Sequence, residues 1–295
     1  HRMTAQSEVY TPMPDEKGNV EWLRVPPEVL QRLSHLRIAF NSHEKGGYFF
    51  SQEAWSDALY HGAIIFSDWE SSDTIKKIRR LRRKLHDLGY QLEFNQHFTE
   101  IIERSSTMPR REKPSFESRF TEVEKQAWQI LYQRGQAWSV ALVDPAGHMI
   151  AGTFGFIDRE KGMVNADSVV YPVSFTVKGV LKGQDVQESV VWNNSTFSYE
   201  KGSSYEKASE LFGQFDKASR SIEFTGGQPD LARVVVLTLG ERLGEAGVKF
   251  LDGGMVTPFT ATLKGRYFPR LEWKQMVKEA HRRGAPVDLI RPWQP

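Results

Sequence analysis

The segment from Lys76 to Lys84 constrains this chain more than any other stretch of its sequence. Isoleucine and leucine recur every three or four residues through it, at Ile75, Ile78, Leu81, Leu85 and Leu88. That spacing places them on one side of an α-helix. We therefore predict a helix over 73–88, with Asp73 as its N-cap and Gly89 just beyond its C-terminus.

Lysine or arginine occupies every position from Lys76 to Lys84 that lies off this apolar stripe. No acidic residue lies among them, so pairs at i,i+4 within the helix cannot neutralise the charge. Such a surface could bind a phosphate backbone. The simpler alternative is a basic face that is only solvated. The candidate contacts are Lys76, Arg79, Arg80, Arg82, Arg83 and Lys84.

The positive charge is local, because the whole 295-residue chain carries a net charge of only +2. The length allows one large domain or two modest ones. The absence of cysteine excludes disulfides and thiolate chemistry. No apolar run reaches the roughly 20 residues that a membrane helix needs. The N-terminus has no apolar signal segment, so we expect a cytoplasmic protein without membrane contact. We also expect a monomer.

Helical and strand patterns alternate along the chain and predict an α/β protein with a mixed, largely antiparallel sheet. Strands are expected near 90–94, 139–144, 148–157 and 163–173, and helices near 51–61, 98–104, 121–134, 230–245 and 271–283. Residues 175–220 are polar and less regular. We place a boundary near Lys113, between an N-terminal α/β domain over 1–112 and a larger domain over 113–295.

Several catalytic signatures are missing from the sequence. It contains no P-loop, no GxGxxG after a strand, no HExxH and no GxSxG. The histidines, His61 among them, are too scattered to predict a zinc site, so we interpret them as structural or exposed and expect no metal.

Motifs spread over most of 51–276 resemble those of one enzyme family. They are Leu81-Arg-Arg-Lys-Leu85, Tyr90-x-x-x-Phe94-Asn95-x-x-Phe98, and the segments 127–140, 149–155, 230–233, 251–252, 260–263 and 268–270, with a weaker likeness over 51–66. In this order and at this spacing, they resemble the motifs of bacterial leucyl/phenylalanyl-tRNA–protein transferases.

The resemblance implies a GNAT-type acyltransferase fold over 113–295, interrupted by an insertion near 175–220. It implies that an apolar aminoacyl group passes from the 3′ end of a charged tRNA to an amine, forming an amide bond. Charged tRNA is then the co-substrate, and no cofactor is required because the ester is already activated. The basic helix would hold the acceptor stem through its phosphates.

The resemblance also assigns candidate site residues. Asp252 matches the family's aspartate, and either Glu223 or Asp167 corresponds to its glutamate, with Glu223 fitting slightly better. Aromatic residues would line the aminoacyl pocket, although ordinary core packing is an equal alternative for them. These are Phe66, Trp69, Phe120 and Phe154.

The acceptor side departs from the family pattern. Gly253-Gly254 stand where the family has Cys-Gln, and that Gln is assigned to proton steps at the amine. Phe259 stands where the family has His. The acceptor is therefore open between a protein N-terminus, a peptide and a small molecule. Two other functions remain as alternatives, an acyl-CoA-dependent N-acyltransferase and a non-catalytic RNA-binding protein.

Overall fold

The computed structural model describes residues 9–14, 20–25, 40–42, 48–50, 60–109, 115–116, 118, 120–158, 163–254 and 256–283. Within these ranges, side chains are described from His61 onward, apart from those of Met163, Arg270 and Arg283. The helix predicted over 51–61 lies mostly outside the described residues. Its predicted end is wrong, because Tyr60 and His61 belong to a strand.

The elements up to the middle of the chain are β1 (Val9–Pro14), β2 (Val20–Val25), β3 (Phe40–Ser42), β4 (Tyr48–Phe50), β5 (Tyr60–Ile65), a 3-10 helix (Phe66–Trp69), α1 (Asp73–Asp87), β6 (Gln91–Phe94), α2 (Phe98–Thr107), α3 (Glu122–Gln133), β7 (Ala137–Val143) and β8 (Met149–Asp158). The remaining elements are β9 (Met163–Val164), β10 (Ser168–Val170), β11 (Val173–Leu181), β12 (Gln184–Val190), β13 (Trp192–Asn193), β14 (Ser198–Tyr199), α4 (Tyr205–Gln214), β15 (Ser221–Gly227), α5 (Pro229–Glu245), β16 (Phe250–Gly254), α6 (Pro258–Thr262), β17 (Gly265–Pro269) and α7 (Arg270–Arg283).

The protein is an α/β protein with small sheets that are largely antiparallel, as predicted. Among the described strands the sheet orders are β2-β1-β4-β3, β10-β8-β7-β6 with β9 on β8, β12-β11-β15, β13-β14 and β16-β5-β17. The pair β1–β4 is parallel. No helix in the described part of the chain is long and apolar enough to cross a membrane.

The central strand β7 is buried along its whole length, because helices cover both faces of its sheet. Trp138, Val140 and Leu142 belong to the core formed with α5. The alternate residues, including Ala141, belong to a second core formed with α2 and α3. The side-chain period of two along a strand thus divides β7 between two cores.

Strand β5 lies between β16 and β17, in a sheet that also has a core on each side. Ile64 and Leu251 face α5, whereas Ala63 and Phe250 face α7. Helix α5 therefore packs against both this sheet and the central one, which explains why nine of its residues are buried.

The predicted boundary near Lys113 falls outside the described residues. Strand β6, which precedes it, pairs with β7, which follows it. Likewise β5 pairs with β16 and β17. Strands from the two sides of the boundary are therefore hydrogen-bonded to each other.

Residues 175–220 are more regular than predicted. The strands β11 and β12 form a hairpin whose turn contains Gly183, with a φ of +77°. Strand β15 pairs with the other edge of β11, and α4 packs on this sheet through Phe212. Polar residues on the outer face of β12 obscured the strand pattern, because that face is exposed to solvent.

Candidate functional site

Helix α1 forms where the apolar stripe predicts it, and two details differ. Ser72, rather than Asp73, is the N-cap, and its hydroxyl accepts a hydrogen bond from the Ile75 amide at 3.4 Å. The stripe is buried or half-buried as far as Leu85, whereas Leu88 lies beyond the helix and is 48% exposed. Gly89 has a φ of +84°, as expected of a residue that ends a helix.

Two of the predicted phosphate contacts are bound to an acid on α5. Arg79 Nε donates to Glu241 Oε1 at 2.8 Å. Arg82 forms an ion pair with the other oxygen of the same carboxylate and donates to Thr238 Oγ1 at 3.2 Å. Arg79 and Arg82 therefore fix α1 to α5, and the structure does not place them with the outward-facing cations.

The other cations of α1 remain on its outer surface. Arg80 and Arg83 are exposed and make no ion pair with any acid in the described ranges. Lys76 pairs with an aspartate three residues earlier at 2.9 Å, and Lys84 Nζ lies 5.1 Å from the ring centroid of Phe197. Lys76, Arg80 and Arg83 are spaced i, i+4 and i+7, so they form one row along the helix.

The second candidate site is centred on Asp252 of β16, which is 6% exposed. Its Oδ1 lies 2.7 Å from Nε2 of His61 on the neighbouring strand β5. The His61 ring stacks on Trp273 of α7, with centroids 4.0 Å apart and an interplanar angle of 16°. A carboxylate that holds an imidazole in one orientation is an arrangement that can accept a proton from a nucleophile.

The pairing register of the strands brings these two residues together. Asp252 lies opposite Ala63, two residues from His61, so the three side chains project from the same face of the sheet. That face carries the apolar cluster under α7, which includes Phe250 and Trp273. His61, which the sequence analysis interpreted as structural or exposed, is the residue of the site that it missed.

A bent segment at 165–167 runs beside Asp252. A continuous strand was predicted here over 163–173, but it is interrupted at 166–167, and Asn165 forms an isolated parallel bridge with Asp252. The Asn165 amide still donates to the Phe156 carbonyl oxygen of β8 at 3.0 Å. The Ala166 amide donates to the Asp252 carbonyl oxygen at 3.0 Å. The close approach of Asn165 to β8 requires a glycine at Gly155, since a Cβ there would lie 1.8 Å from the Asn165 carbonyl oxygen.

The two candidates for the family glutamate lie in different places. Asp167 follows directly on Ala166 and has an exposed side chain, so its backbone runs beside Asp252. Glu223 is exposed on β15, in another sheet, and forms an ion pair with Lys178 that lowers the pKa of its carboxyl group. The structure therefore does not support the slight preference for Glu223.

The four aromatic residues predicted to line one pocket lie in two cores. Phe66 and Trp69 pack against α5, and Trp69 Nε1 donates to the Leu263 carbonyl oxygen at 2.7 Å. Phe154 is fully buried in the core on the other face of the central sheet, with its ring centroid 6.3 Å from that of Phe120. The structure does not bring the four rings together.

The basic helix and the Asp252–His61 pair lie on opposite sides of the β16–β5–β17 sheet. Helix α1 packs on α5, and α5 covers the face that carries Leu251. Asp252 and His61 lie on the other face, under α7. A ligand that contacts both sites must therefore extend around an edge of this sheet.

Among the residues that the structure describes, no group of three or more histidine, aspartate and glutamate side chains is placed to hold a metal ion.

No protein-family model and no curated protein matches the chain. Among solved structures, it is similar in part to that of L-PGS from Bacillus licheniformis, with 11% sequence identity and a TM-score of 0.31. The superposition covers 77% of this chain and 60% of that one, so the chain spans less than two thirds of L-PGS. At this TM-score the similarity carries no argument about fold or function.

Proposed function

We propose that this protein is a cytoplasmic GNAT-type aminoacyltransferase that moves an apolar aminoacyl group from charged tRNA to an amine, forming an amide. The observation that carries the proposal is the Asp252–His61 pair. Attack by an amine on an ester requires a group that takes the proton of the amine. The glutamine that the family uses near this step is replaced by Gly254, and His61 supplies a proton acceptor from another strand.

In the proposed reaction, the neutral amine nitrogen attacks the ester carbonyl carbon of the charged tRNA. The proton passes from the amine to the imidazole of His61, whose Nε2 lies 2.7 Å from Asp252 Oδ1. The Asp252 carboxylate stabilises the imidazolium that forms. The ester C–O bond then breaks, and His61 returns the proton to the departing hydroxyl oxygen of the terminal ribose. Proton transfer of this kind contributes about 10²- to 10⁴-fold to a rate.

The outer row of α1 supports RNA as the carrier of the aminoacyl group. This row consists of Lys76, Arg80 and Arg83. Their positive charges can bind the phosphates of an A-form stem without recognising its base sequence. The separation of this row from the Asp252–His61 pair by α5 and a sheet favours a large substrate over acyl-CoA. A tRNA can follow the surface from one site to the other.

The test is transfer of radiolabelled amino acid from a panel of charged tRNAs to a panel of amines, including a peptide with a free N-terminus. We expect transfer that RNase abolishes and that Asp252→Asn strongly reduces. Absence of transfer with every pair would contradict the proposal. Binding of acetyl-CoA without any effect of tRNA would select the acyl-CoA alternative. RNA binding lost on charge reversal at Arg80 and Arg83, without turnover, would select the non-catalytic one.

A further inference from the structure

The His61 imidazole contacts an aromatic ring as well as a carboxylate. The indole of Trp273 in α7 is parallel to it to within 16°, and the two ring centroids are 4.0 Å apart. Nε2 of His61 lies 2.7 Å from Asp252 Oδ1. The imidazole is therefore held at its edge by a carboxylate and at its face by an indole.

The indole of Trp273 is itself fixed by packing. Trp273 is 5% exposed and belongs to the apolar cluster under α7. Its ring also contacts that of Phe250 on β16, edge to face, with centroids 5.1 Å apart and an interplanar angle of 65°. Aromatic pairs prefer such defined geometries. Trp273 therefore presents one face of its ring to His61 in a constant orientation.

A stacked indole favours the charged form of an imidazole. The face of an indole carries partial negative charge, which attracts a cation within about 6 Å of the ring centroid. His61 is a cation only when both of its ring nitrogens are protonated. In the proposed reaction this charge appears as the imidazole takes the proton of the attacking amine. The contact with Trp273 therefore becomes stronger as the proton is transferred.

The other charged groups on the elements packed against His61 are mostly exposed. In the described side chains they are Asp252 on β16, Arg266 on β17, and Glu272, Lys274, Lys278, Glu279, His281 and Arg282 on α7. The side chains on α7 are exposed, so solvent screens them. Arg266 is more than half exposed and pairs with Asp68 at 3.3 Å. Asp252 is the buried charge beside the imidazole, and Trp273 adds to its effect without a net charge.

We propose that Trp273 is a positioning residue for the transfer, and this role rests on the proposed function. Its indole fixes the His61 ring beside Asp252 and stabilises the imidazolium that forms there. Asp252 stabilises the same cation through its charge, whereas Trp273 acts through the partial charges of its ring. Helix α7 is then part of the catalytic unit, although none of its residues takes or returns the proton.

The test replaces Trp273 by difluorotryptophan, in which fluorine withdraws electrons from the face of the ring and the shape is nearly kept. In ¹H–¹⁵N spectra of the full chain at one pH, the His61 ring resonances should move towards those of neutral imidazole. These resonances are assigned by their absence from the His61→Gln protein. The matched control is difluorotryptophan at Trp128, which is buried in the other core and contacts Phe154. It should leave them unchanged.

Transfer kinetics test the same role in the reaction. Trp273→Leu should lower kcat about 2- to 30-fold with little change in KM. The acidic limb of its pH profile should move to lower pH, because the imidazolium loses stabilisation. In a His61→Gln protein, Trp273→Leu should lower kcat no further, since no imidazolium forms there. If Trp273→Leu does not fold, the difluorinated protein should show the same changes to a smaller extent.

Resonances of His61 that do not respond to fluorination of Trp273 would overturn the assignment, whether or not the protein transfers. An equal loss of kcat from Trp273→Leu with and without His61 would also overturn it, because the role would then be packing alone. Absence of transfer by the unaltered protein would overturn the proposed function, and with it the catalytic role of Trp273. The resonances would still show whether the indole stabilises the imidazolium.

Discussion

The basic face of α1 and the Asp252–His61 pair differ in how the sequence encodes them. The basic face comes from one continuous segment with a helical period, and the prediction placed that helix to within a residue or two. The pair comes from two strands whose residues are separated by 191 positions, and only Asp252 was predicted. A surface carried by a single helix can be predicted from the periodicity of its residues. A site built from two paired strands depends on their pairing register, which the sequence of neither strand shows by itself.

The largest effect should come from breaking the pair. Replacement of His61 by Gln or of Asp252 by Asn should each lower kcat for aminoacyl transfer by about 10²- to 10⁴-fold. Because the two groups act as a unit, the double variant should lose little more than the worse single variant. Single-turnover transfer at saturating charged tRNA measures this.

The control for that experiment is His148→Gln, since His148 lies in an exposed hairpin and its side chain is 74% exposed. It should transfer at the rate of the unaltered protein. If the losses of His61 and Asp252 simply multiplied in the double variant, the two residues would be acting independently, and Asp252 would not act through His61.

The packing that separates the two regions can be tested through α5. A Cβ on Gly240 would lie 2.2 Å from Cη2 of the buried Trp69 ring. Gly240→Ala should therefore lower the free energy of unfolding by about 1–3 kcal/mol through overpacking. Gly213→Ala is the matched control, because it is also helical and a Cβ there meets nothing within 4 Å. It should raise stability by about 0.5–1 kcal/mol.

Urea unfolding curves of the two glycine variants measure these changes. If Gly240→Ala were more stable than the unaltered protein, α5 would not pack on the 3-10 helix as described. The position of α5 between the basic face of α1 and the Asp252–His61 pair would then be wrong.

The outer cations of α1, Arg80 and Arg83, should contribute more to RNA binding than the inner ones, Arg79 and Arg82. Replacement of both Arg80 and Arg83 by Ala should reduce the slope of log K against log salt by about 1.5 for a charged tRNA, if each contacts a phosphate. The double variant Arg79→Ala and Arg82→Ala should change the slope less, because both side chains are bonded to Glu241, whose carboxylate cancels one of their two charges.

The control for RNA binding is the double variant Lys201→Ala and Lys217→Ala, which removes two exposed charges outside α1. Equal slopes for the outer pair and this control would show that α1 presents a solvated basic face and nothing more.

The smallest effect is expected at Glu223. This carboxylate is exposed and paired with Lys178 in a sheet that does not contain Asp252. Glu223→Gln should leave the transfer rate within about twofold of the unaltered protein. A loss comparable to that of Asp252→Asn would restore Glu223 as the counterpart of the family glutamate.

Helix α3 shows why part of the fold was beyond prediction. Two of its apolar residues, Val123 and Ile130, are 74% and 47% exposed. Trp128 is buried instead, with its ring centroid 4.9 Å from that of Phe154. The presence of the helix follows from its period and its Thr121 cap, but the face it buries depends on a partner ring in a distant strand.

The same limit applied to the charges of α1. No acid lies within its basic segment, and the carboxylate that binds Arg79 and Arg82 comes from Glu241, more than 150 positions later. The positions of the cations could be predicted, whereas the division between inner and outer ones required the packing of α1 on α5.

The most direct test of the account is a structure of the protein with a tRNA carrying an amide-linked phenylalanine at its 3′ end. The account predicts that the amide carbonyl lies beside the Asp252–His61 pair, within about 3.5 Å of the position from which His61 can receive a proton. It also predicts that the acceptor stem passes along Arg80 and Arg83. An aminoacyl end bound on any other surface, with His61 and Asp252 untouched, would contradict it.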